Sequence, residues 1–431
     1  MEQLLEAEPV GASGASGISV WRNPAAWLVE KKLSRAYWIF FSVEFFFDFG
    51  FSLYFFLFNL YLVDLHFNER AIGLVVGALT LGSVAGTLPA GWLARKIGLR
   101  PLLVFSMIAA PLLGVARVLA VWEQAQIGLA FLAGLAMCLW AVCYLPTLAG
   151  LTTAENRASA FSINFSMSIG AGALGGLVCG YLPHLLKMAG YALPAADVKR
   201  MILLGACGIA GIGVFPMLRL RLPLQENKPQ AQDKAGKLPW KMNPFLLRFL
   251  PAMGLWMAVL AAFTPFANVY LSKDLHISLA QIGLIFSAAQ AVQFCVGLLT
   301  PLVFRRLGLV NGIVATQVAT AAALGCLAGT HDRRLAVALY LSFAATQWMS
   351  SPGLYNLLMS EVPDEERSSA SAMTMFCNAV LKSCATAGAG ILFVRFGYPH
   401  VILGIAALAL AAALLFGCLV RPSARRAAPQ P

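Results

Sequence analysis

Gly91-Trp92-Leu93-Ala94-Arg95-Lys96-Ile97-Gly98-Leu99-Arg100 is a short basic turn between two long apolar runs, and it occurs twice. Arg305-Arg306-Leu307-Gly308-Leu309 repeats Arg95-Lys96-Ile97-Gly98-Leu99 at a shift of 210. At the same shift Ile72-Gly73-Leu74 returns as Ile282-Gly283-Leu284, Asp64-Leu65-His66 as Asp274-Leu275-His276, and Arg157-Ala158-Ser159-Ala160 as Arg367-Ser368-Ser369-Ala370. Asn59 and Tyr61 return at 209, as Asn268 and Tyr270, so one residue was gained just before the second Asp-Leu-His triplet. Four blocks in one register describe a duplicated chain, two copies of about 200 residues joined by a linker.

Composition names the medium. Hydrophobic residues make up 59% of the chain, charged residues 12%, and mean hydropathy is +0.76. A soluble domain carries roughly 25% charge, so lipid is the solvent here. The net charge of +12 is then a matter of where it sits, not a nucleic-acid signal. The nine cysteines fall inside apolar runs with no Cys-x-x-Cys pair, so they read as small packing residues and imply neither disulfides nor a metal site.

Apolar spans run over 36–63, 71–93, 101–121, 126–150, 159–183 and 200–218, then over 246–272, 279–304, 310–329, 335–358, 368–394 and 398–420. Each approaches the ~20 residues a helix needs to cross hydrocarbon. The expected organisation is an N-terminal tail (1–35), a six-helix bundle (36–218), a linker (219–245), a second six-helix bundle (246–420) and a C-terminal tail (421–431). The tail carries Trp21, Trp27 and the basic Lys31, Lys32 and Arg35, in keeping with a short interfacial helix and not a signal peptide. The linker is polar, basic and broken by Pro223, Pro229 and Pro239. Of the 31 Lys and Arg, 21 lie on the side of the termini, linker and repeated turn, and 8 lie on the other. The positive-inside rule makes both termini cytoplasmic. All five histidines (His66, His184, His276, His331, His400) fall on the outer side, as scattered interfacial residues or as a pH sensor.

Twelve spans in a 6+6 duplication, the basic linker and the Gly-x-x-x-x-[Arg/Lys]-x-Gly turn resemble the major facilitator superfamily over residues 36–420. The resemblance implies an all-α membrane protein, twelve transmembrane helices as two six-helix repeats, with transport by alternating access and no cofactor. It also implies a cytoplasmic gate at the basic turns: Gly91, Arg95, Lys96, Gly98, Arg100 and Arg157, with Arg305, Arg306, Gly308 and Arg367 in the second copy. The chain departs from the family at Arg95 and Arg305, where the family places an acid. The expected substitute is swapped polarity, the basic turns pairing with Glu155, Glu361, Asp364, Glu365 and Glu366.

Span 1 carries the chemical signal. Glu44, Asp48, Ser52, Phe55 and Asn59 follow one another at spacings of four and three, on one helical face. A carboxylate at mid-bilayer costs about 2.5–3.5 kcal/mol on insertion scales, so Asp48 should face a watery cavity or a partner. Two carboxyls one turn apart repel, and one of them could take up a proton near neutral pH. A structural acid satisfied by hydrogen bonds is the other reading. Lys382 lies mid-span in helix 11, one turn after Asn378, and is a counter-ion or substrate contact, or half of a fixed ion pair. Further candidates for the substrate cavity are Trp140, Tyr144, Trp256, Asn268, Gln290, Gln293, Gln347, Trp348 and Asn356, with Asn59. Each alone is a common helix-packing residue. Span 5 reads Gly170-Ala171-Gly172-Ala173-Leu174-Gly175-Gly176, which resembles the antiporter signature of the family with Gly172 at the proline position. The arginine those antiporters keep in span 4 is missing.

The sequence therefore points to a secondary active transporter of a small organic solute, monomeric, in the cell (inner or plasma) membrane, with a proton as coupling ion. The lipid bilayer is its surroundings and nucleic acid is not a partner. Export of an amphiphilic compound leads; uptake of a sugar or organic acid by symport is the alternative, and a transport-dead receptor or scaffold a third. No Gly-x-Ser-x-Gly, His-Glu-x-x-His or phosphate-binding loop suggests an enzyme or ATP use. A reporter fused after Pro431 should be cytoplasmic; an extracytoplasmic signal would overturn the orientation.

Overall fold

The computed structural model describes residues 33–153, 156–190, 194–220, 244–330, 332–362 and 367–420. The tails, most of the linker, Glu155, His331, Asp364, Glu365 and Glu366 lie outside the described residues. The first half consists of α1 (Arg35–Asp64), α2 (Glu69–Ile97), α3 (Leu99–Leu119), α4 (Glu123–Gly150), α5 (Arg157–Met188) and α6 (Ala195–Ile212, continued by Val214–Arg219). In the second half, α7 (Pro244–Phe263) passes through a 3-10 turn, Thr264–Phe266, into Ala267–Lys273. It is followed by α8 (Leu279–Leu307), α9 (Leu309–Gly329) and α10 (Arg333–Glu361). The last stretch, Arg367–Leu419, breaks at Gly397 into α11 (367–396) and α12 (398–419). Each expected span coincides with one helix, and there is no strand among the described residues. Ten helices are long and apolar enough to cross a membrane, the tenth holding both α11 and α12. The exception, α10, carries Ser342, Thr346, Gln347, Ser350, Ser351 and Asn356 in its interior.

The backbone repeats as the sequence does. Gly98 (φ 86°, ψ 168°) both ends α2 and opens α3, and Gly308 (φ 79°, ψ 158°) does the same for α8 and α9. Residues 91–100 are thus mostly helix, their turn a single residue, and that residue is glycine because its φ is positive. Arg95 and Lys96, with Arg305 and Arg306, occupy the last turns of α2 and α8, where cations complement the helix C-terminus. At the opposite end of the bundle His66 (φ 64°) and His276 (φ 50°) share the left-handed conformation. Histidine tolerates that region better than most side chains. We call the end with Gly98, Leu220, Pro244 and Gly308 the linker side, and the end with His66, His276 and Gly397 the far side.

Small residues bring the two halves together. A Cβ on Gly283 (α8) would fall on the carbonyl of Gly176 (α5), and one on Gly73 (α2) would lie 2.7 Å from the carbonyl of Thr386 (α11). Hydrogen bonds follow the same two seams. Ser287 Oγ donates to Ala173 O at 2.6 Å, and Ser383 Oγ donates to Gly77 O at 2.7 Å. A third seam joins α1 to α7, where Asn59 Nδ2 donates to Pro265 O (2.8 Å) and Asn268 Nδ2 to Phe56 O (3.1 Å). All these contacts lie in the far-side portion of the bundle.

Toward the linker side the same faces come apart. Leu81, one turn beyond Gly77 on α2, is 44% exposed, and Phe376, two turns before Ser383 on α11, is 57% exposed. Phe165, two turns before Gly172 on α5, and Phe294, one turn beyond Gln290 on α8, are 52% and 38% exposed. The halves therefore enclose a central cavity that is closed on the far side and opens on the linker side. Gly283→Val should drive apart the α5–α8 seam, at a cost of roughly 1–3 kcal/mol of the kind overpacking incurs. Differential scanning fluorimetry of the solubilised protein should show a lower melting temperature for Gly283→Val. Gly297→Val, where an added Cβ meets only Trp348 at 4.0 Å, should show no change.

Candidate functional site

The polar face of α1 is turned toward α5 and α4. Glu44 is buried; it accepts hydrogen bonds from Tyr144 Oη (2.6 Å) and from Asn164 Nδ2. Asn164 Oδ1 in turn accepts from Tyr37 Oη at 2.6 Å. Aromatic rings close this network in: Trp140 stacks on Tyr144 at 5.7 Å and on Phe47 at 4.4 Å. Glu44 is thus a satisfied acid that ties α1, α4 and α5 into one body.

Asp48, one turn further, is held differently. It is half-buried, and Ser168 Oγ donates to its Oδ2 at 2.8 Å. Beyond it, Ser52 Oγ donates to Ala171 O at 3.3 Å. Asp48 is therefore a carboxylate at mid-helix with one hydrogen bond among the described residues and its remaining surface toward the cavity.

Lys382 faces the same space from the other half. On α11, Ser383 and Gly390 meet α2 while Leu381 meets Gly254 of α7, and Lys382 points between those two contacts. Its depth follows from register. Asp48 and Gly254 each lie eleven residues before the Asn59–Pro265 contact, so Asp48 is level with the Leu381–Lys382 turn. Lys382 makes no ion pair or hydrogen bond among the described residues. Asn378, one turn before it, is buried, with its Oδ1 lacking a donor; the Oγ1 of Thr374, a further turn back, is buried and unpartnered too.

The amide candidates divide. Gln290 and Gln293 follow Phe286, which contacts Phe56 of α1 at 5.2 Å, and precede Gly297, which lies against Trp348 of α10. That stripe of α8 looks into the cavity, and Gln290 abuts Gly172 on α5. Gln347 is half-buried, while Trp348 and Asn356 are exposed on α10. Asn59 and Asn268 are placed elsewhere than the cavity wall: their amides bind backbone carbonyls across the far-side seam. Trp256 is fully buried, inside the second bundle. It occupies the repeat position of Phe47, as Ser350 does that of Trp140, so one large aromatic has changed helix between the halves. Arg117, the other charge inside a span, lies away from the cavity, its guanidinium over the rings of Phe58 (4.2 Å) and Tyr54 (5.8 Å).

Among the described residues the basic turns make no ion pair with an acid. Arg95, Arg157, Arg305 and Arg306 are exposed; Lys96 lies over the Trp92 ring at 4.9 Å, and Arg100 donates to Leu218 O at 2.7 Å. Glu361 makes no ion pair among the described residues. Arg367 begins α11.

The sequence profile of the Major Facilitator Superfamily matches residues 40–386. The chain belongs to that superfamily. Solved structures of the same fold include the nucleoside transporter NupG (14% identity, TM-score 0.70, covering 90% of this chain and 99% of that one). A D-xylose-proton symporter matches at 14% identity and TM-score 0.71, covering 90% of this chain and 98% of that one. A bacterial homologue of the human lysosomal transporter Spinster, in an inward-facing and unoccupied conformation, matches at 12% identity and TM-score 0.73, covering 92% of this chain and all of that one. No curated protein matches the chain by sequence.

Within the superfamily frame the far side carries a contact that sequence reasoning passed over. Lys273 Nζ of α7 lies 2.8 Å from Glu69 Oε1 of α2, and Tyr398 Oη of α12 donates to the same oxygen at 3.0 Å. Two residues of the second half thus converge on one carboxylate of the first. Each sits at a helix end, where charge is ordinary, and only the topology brings them together. Asn164 and Ser168 were equally hidden, although their spacing of four on span 5 mirrors Glu44 and Asp48. Glu69→Gln and Lys273→Met should each weaken far-side closure. Double electron–electron resonance between spin labels at Arg70 and Arg334 should then show a longer or broader distance distribution; an unchanged one would mean that the trio does not hold the halves.

Proposed function

We propose that this member of the superfamily is a proton-coupled secondary active transporter of a small organic solute, working as a monomer in the cell membrane by alternating access. The observation that carries the reading is Asp48: a mid-depth carboxylate, held by Ser168 and open to a cavity between two halves that meet by small-residue seams. With both termini cytoplasmic, the open linker side is the inward-facing state. Asp48 binds and releases the driving proton, Glu44 fixes the wall behind it, and Lys382 is the charge it answers when the halves close. In the outward-facing state the basic turns at Arg95 and Arg305 would approach the acids that follow α4 and α10.

Export of an amphiphilic compound has support in the aromatic wall of α1. Symport has two supports of its own. The glycines of α5 serve the seam with α8, so their likeness to an antiporter signature has a packing cause. Gln290 and Gln293 also offer neutral hydrogen bonds on the cavity wall.

The test is proton flux in reconstituted vesicles carrying a pH dye. Asp48→Asn should abolish uphill accumulation of substrate while leaving downhill exchange measurable. Glu44→Gln should lower stability more than coupling, because an amide replaces the carboxyl that Tyr144 and Asn164 share. Wild-type accumulation by Asp48→Asn would place the proton path elsewhere.

A further inference from the structure

A cation at membrane depth needs compensation, and among the described residues nothing packed around Lys382 supplies it. On α2 the stretch from Gly77 to Val84 has no charged residue, and on α7 none lies between Leu250 and Pro265. The charged residues of α10 (Arg333, Arg334, Glu361) and His400 of α12 sit near helix ends, and the other titratable groups of α10, α11 and α12 near this level are neutral tyrosines and cysteines, among them Tyr340, Tyr355, Cys377 and Cys384. The carboxylates nearest in depth are Asp48, across the cavity, and Glu44, enclosed by Tyr144 and Asn164. Thr374 and Asn378, on the same face of α11, add two buried oxygens with no hydrogen-bond partner among the described residues. Flanking Asp48 on α1, Phe45 and Phe49 are half-buried and stack with ring centres 5.8 Å apart and 4° between their planes.

We infer that the transported solute is an organic monocarboxylate with an apolar body, its carboxylate held by Lys382 and its body lying along Phe45 and Phe49. The inference rests on Asp48 as the proton site and follows from charge balance in a cavity that must close within lipid. With Asp48 ionised and Lys382 protonated, the empty cavity is neutral and can close. An anion entering that state would leave the cavity negative. With Asp48 protonated, Lys382 is the surplus charge, and one bound monoanion cancels it. The loaded cavity then holds one anion and one ammonium beside the neutral carboxyl that carries the proton, and again closes neutral. Both crossings are favoured only for proton and anion together or for neither, which is electroneutral symport.

The test uses the full-length solubilised protein with octanoate and 3-phenylpropionate as probes, and octanamide, 3-phenylpropanamide and octylamine as controls. Melting temperature and tryptophan fluorescence give the binding curves. The carboxylates should bind, more tightly at mildly acidic than at mildly alkaline pH. Lys382→Gln should weaken them by about tenfold or more and should itself melt no lower than the wild type, since no partner is lost. Asp48→Asn should bind them at alkaline pH as the wild type does at acidic pH. Equal binding of the amides or the amine, binding by no carboxylate, or a destabilised Lys382→Gln overturns the inference. Carboxylate binding that needs Lys382 yet is identical in Asp48→Asn at every pH upholds the anion site and overturns the proton site to which we couple it.

Discussion

Main-chain contact between the halves is the constraint on which this structure turns. In lipid the hydrophobic effect does not press helices together, so they hold by close packing and by hydrogen bonds. Gly176 against Gly283, and Gly73 against Gly390 and Thr386, let backbones touch. The serine hydroxyls of Ser287 and Ser383 reach across at the same levels. Where these small residues give way to Leu81, Phe165, Phe294 and Phe376 the helices diverge, and the cavity is the result. Asp48 and Lys382 are reachable because they lie beyond the end of the seams.

On this duplicated frame the charges are not duplicated. By the repeat shifts Asp48 corresponds to Met257, Glu44 to Met253 and Lys382 to Gly172. Gly172 is the residue against which Gln290 packs, so the position that carries a cation on α11 serves a helix seam on α5. Lys273 shows the same principle in another way. The single residue gained ahead of the second Asp-Leu-His triplet falls at Ser272 or Lys273, and Lys273 is the cation that meets Glu69. An insertion that shifted a helix end by one residue is associated with a contact between halves for which the first copy has no equivalent.

Much of the fold was legible because membrane helices announce themselves twice, by length and by the charges at their ends. The repeat then fixed the pairing of halves, and the backbone at Gly98 and Gly308, with His66 and His276, repeats in step with it. The shared face of Glu44 and Asp48 was legible from spacing alone. Depth and neighbour were not. Asn59 lies on that same face yet serves the seam, because a helical wheel says nothing of where along its length the partner helix departs. Trp256 looked like a ligand contact by residue type, but the packing of its repeat mate Phe47 onto Trp140 indicates an interior position. Glu69, Lys273 and Tyr398 are up to 329 residues apart in the chain, and no local pattern joins them.

The polar interior of α10 has a consequence for biogenesis. Nine of the other spans are apolar enough to partition into a bilayer one at a time, and α11 with α12 forms a single apolar run. For α10 lipid alone is a poor host, and its Thr346 shares a hydrogen bond at 2.8 Å with Thr320 of α9. A helix of this composition gains from packing against its neighbour as it enters the bilayer. The second half is in that sense built around a hairpin, its most polar span steadied in the membrane by the helix before it.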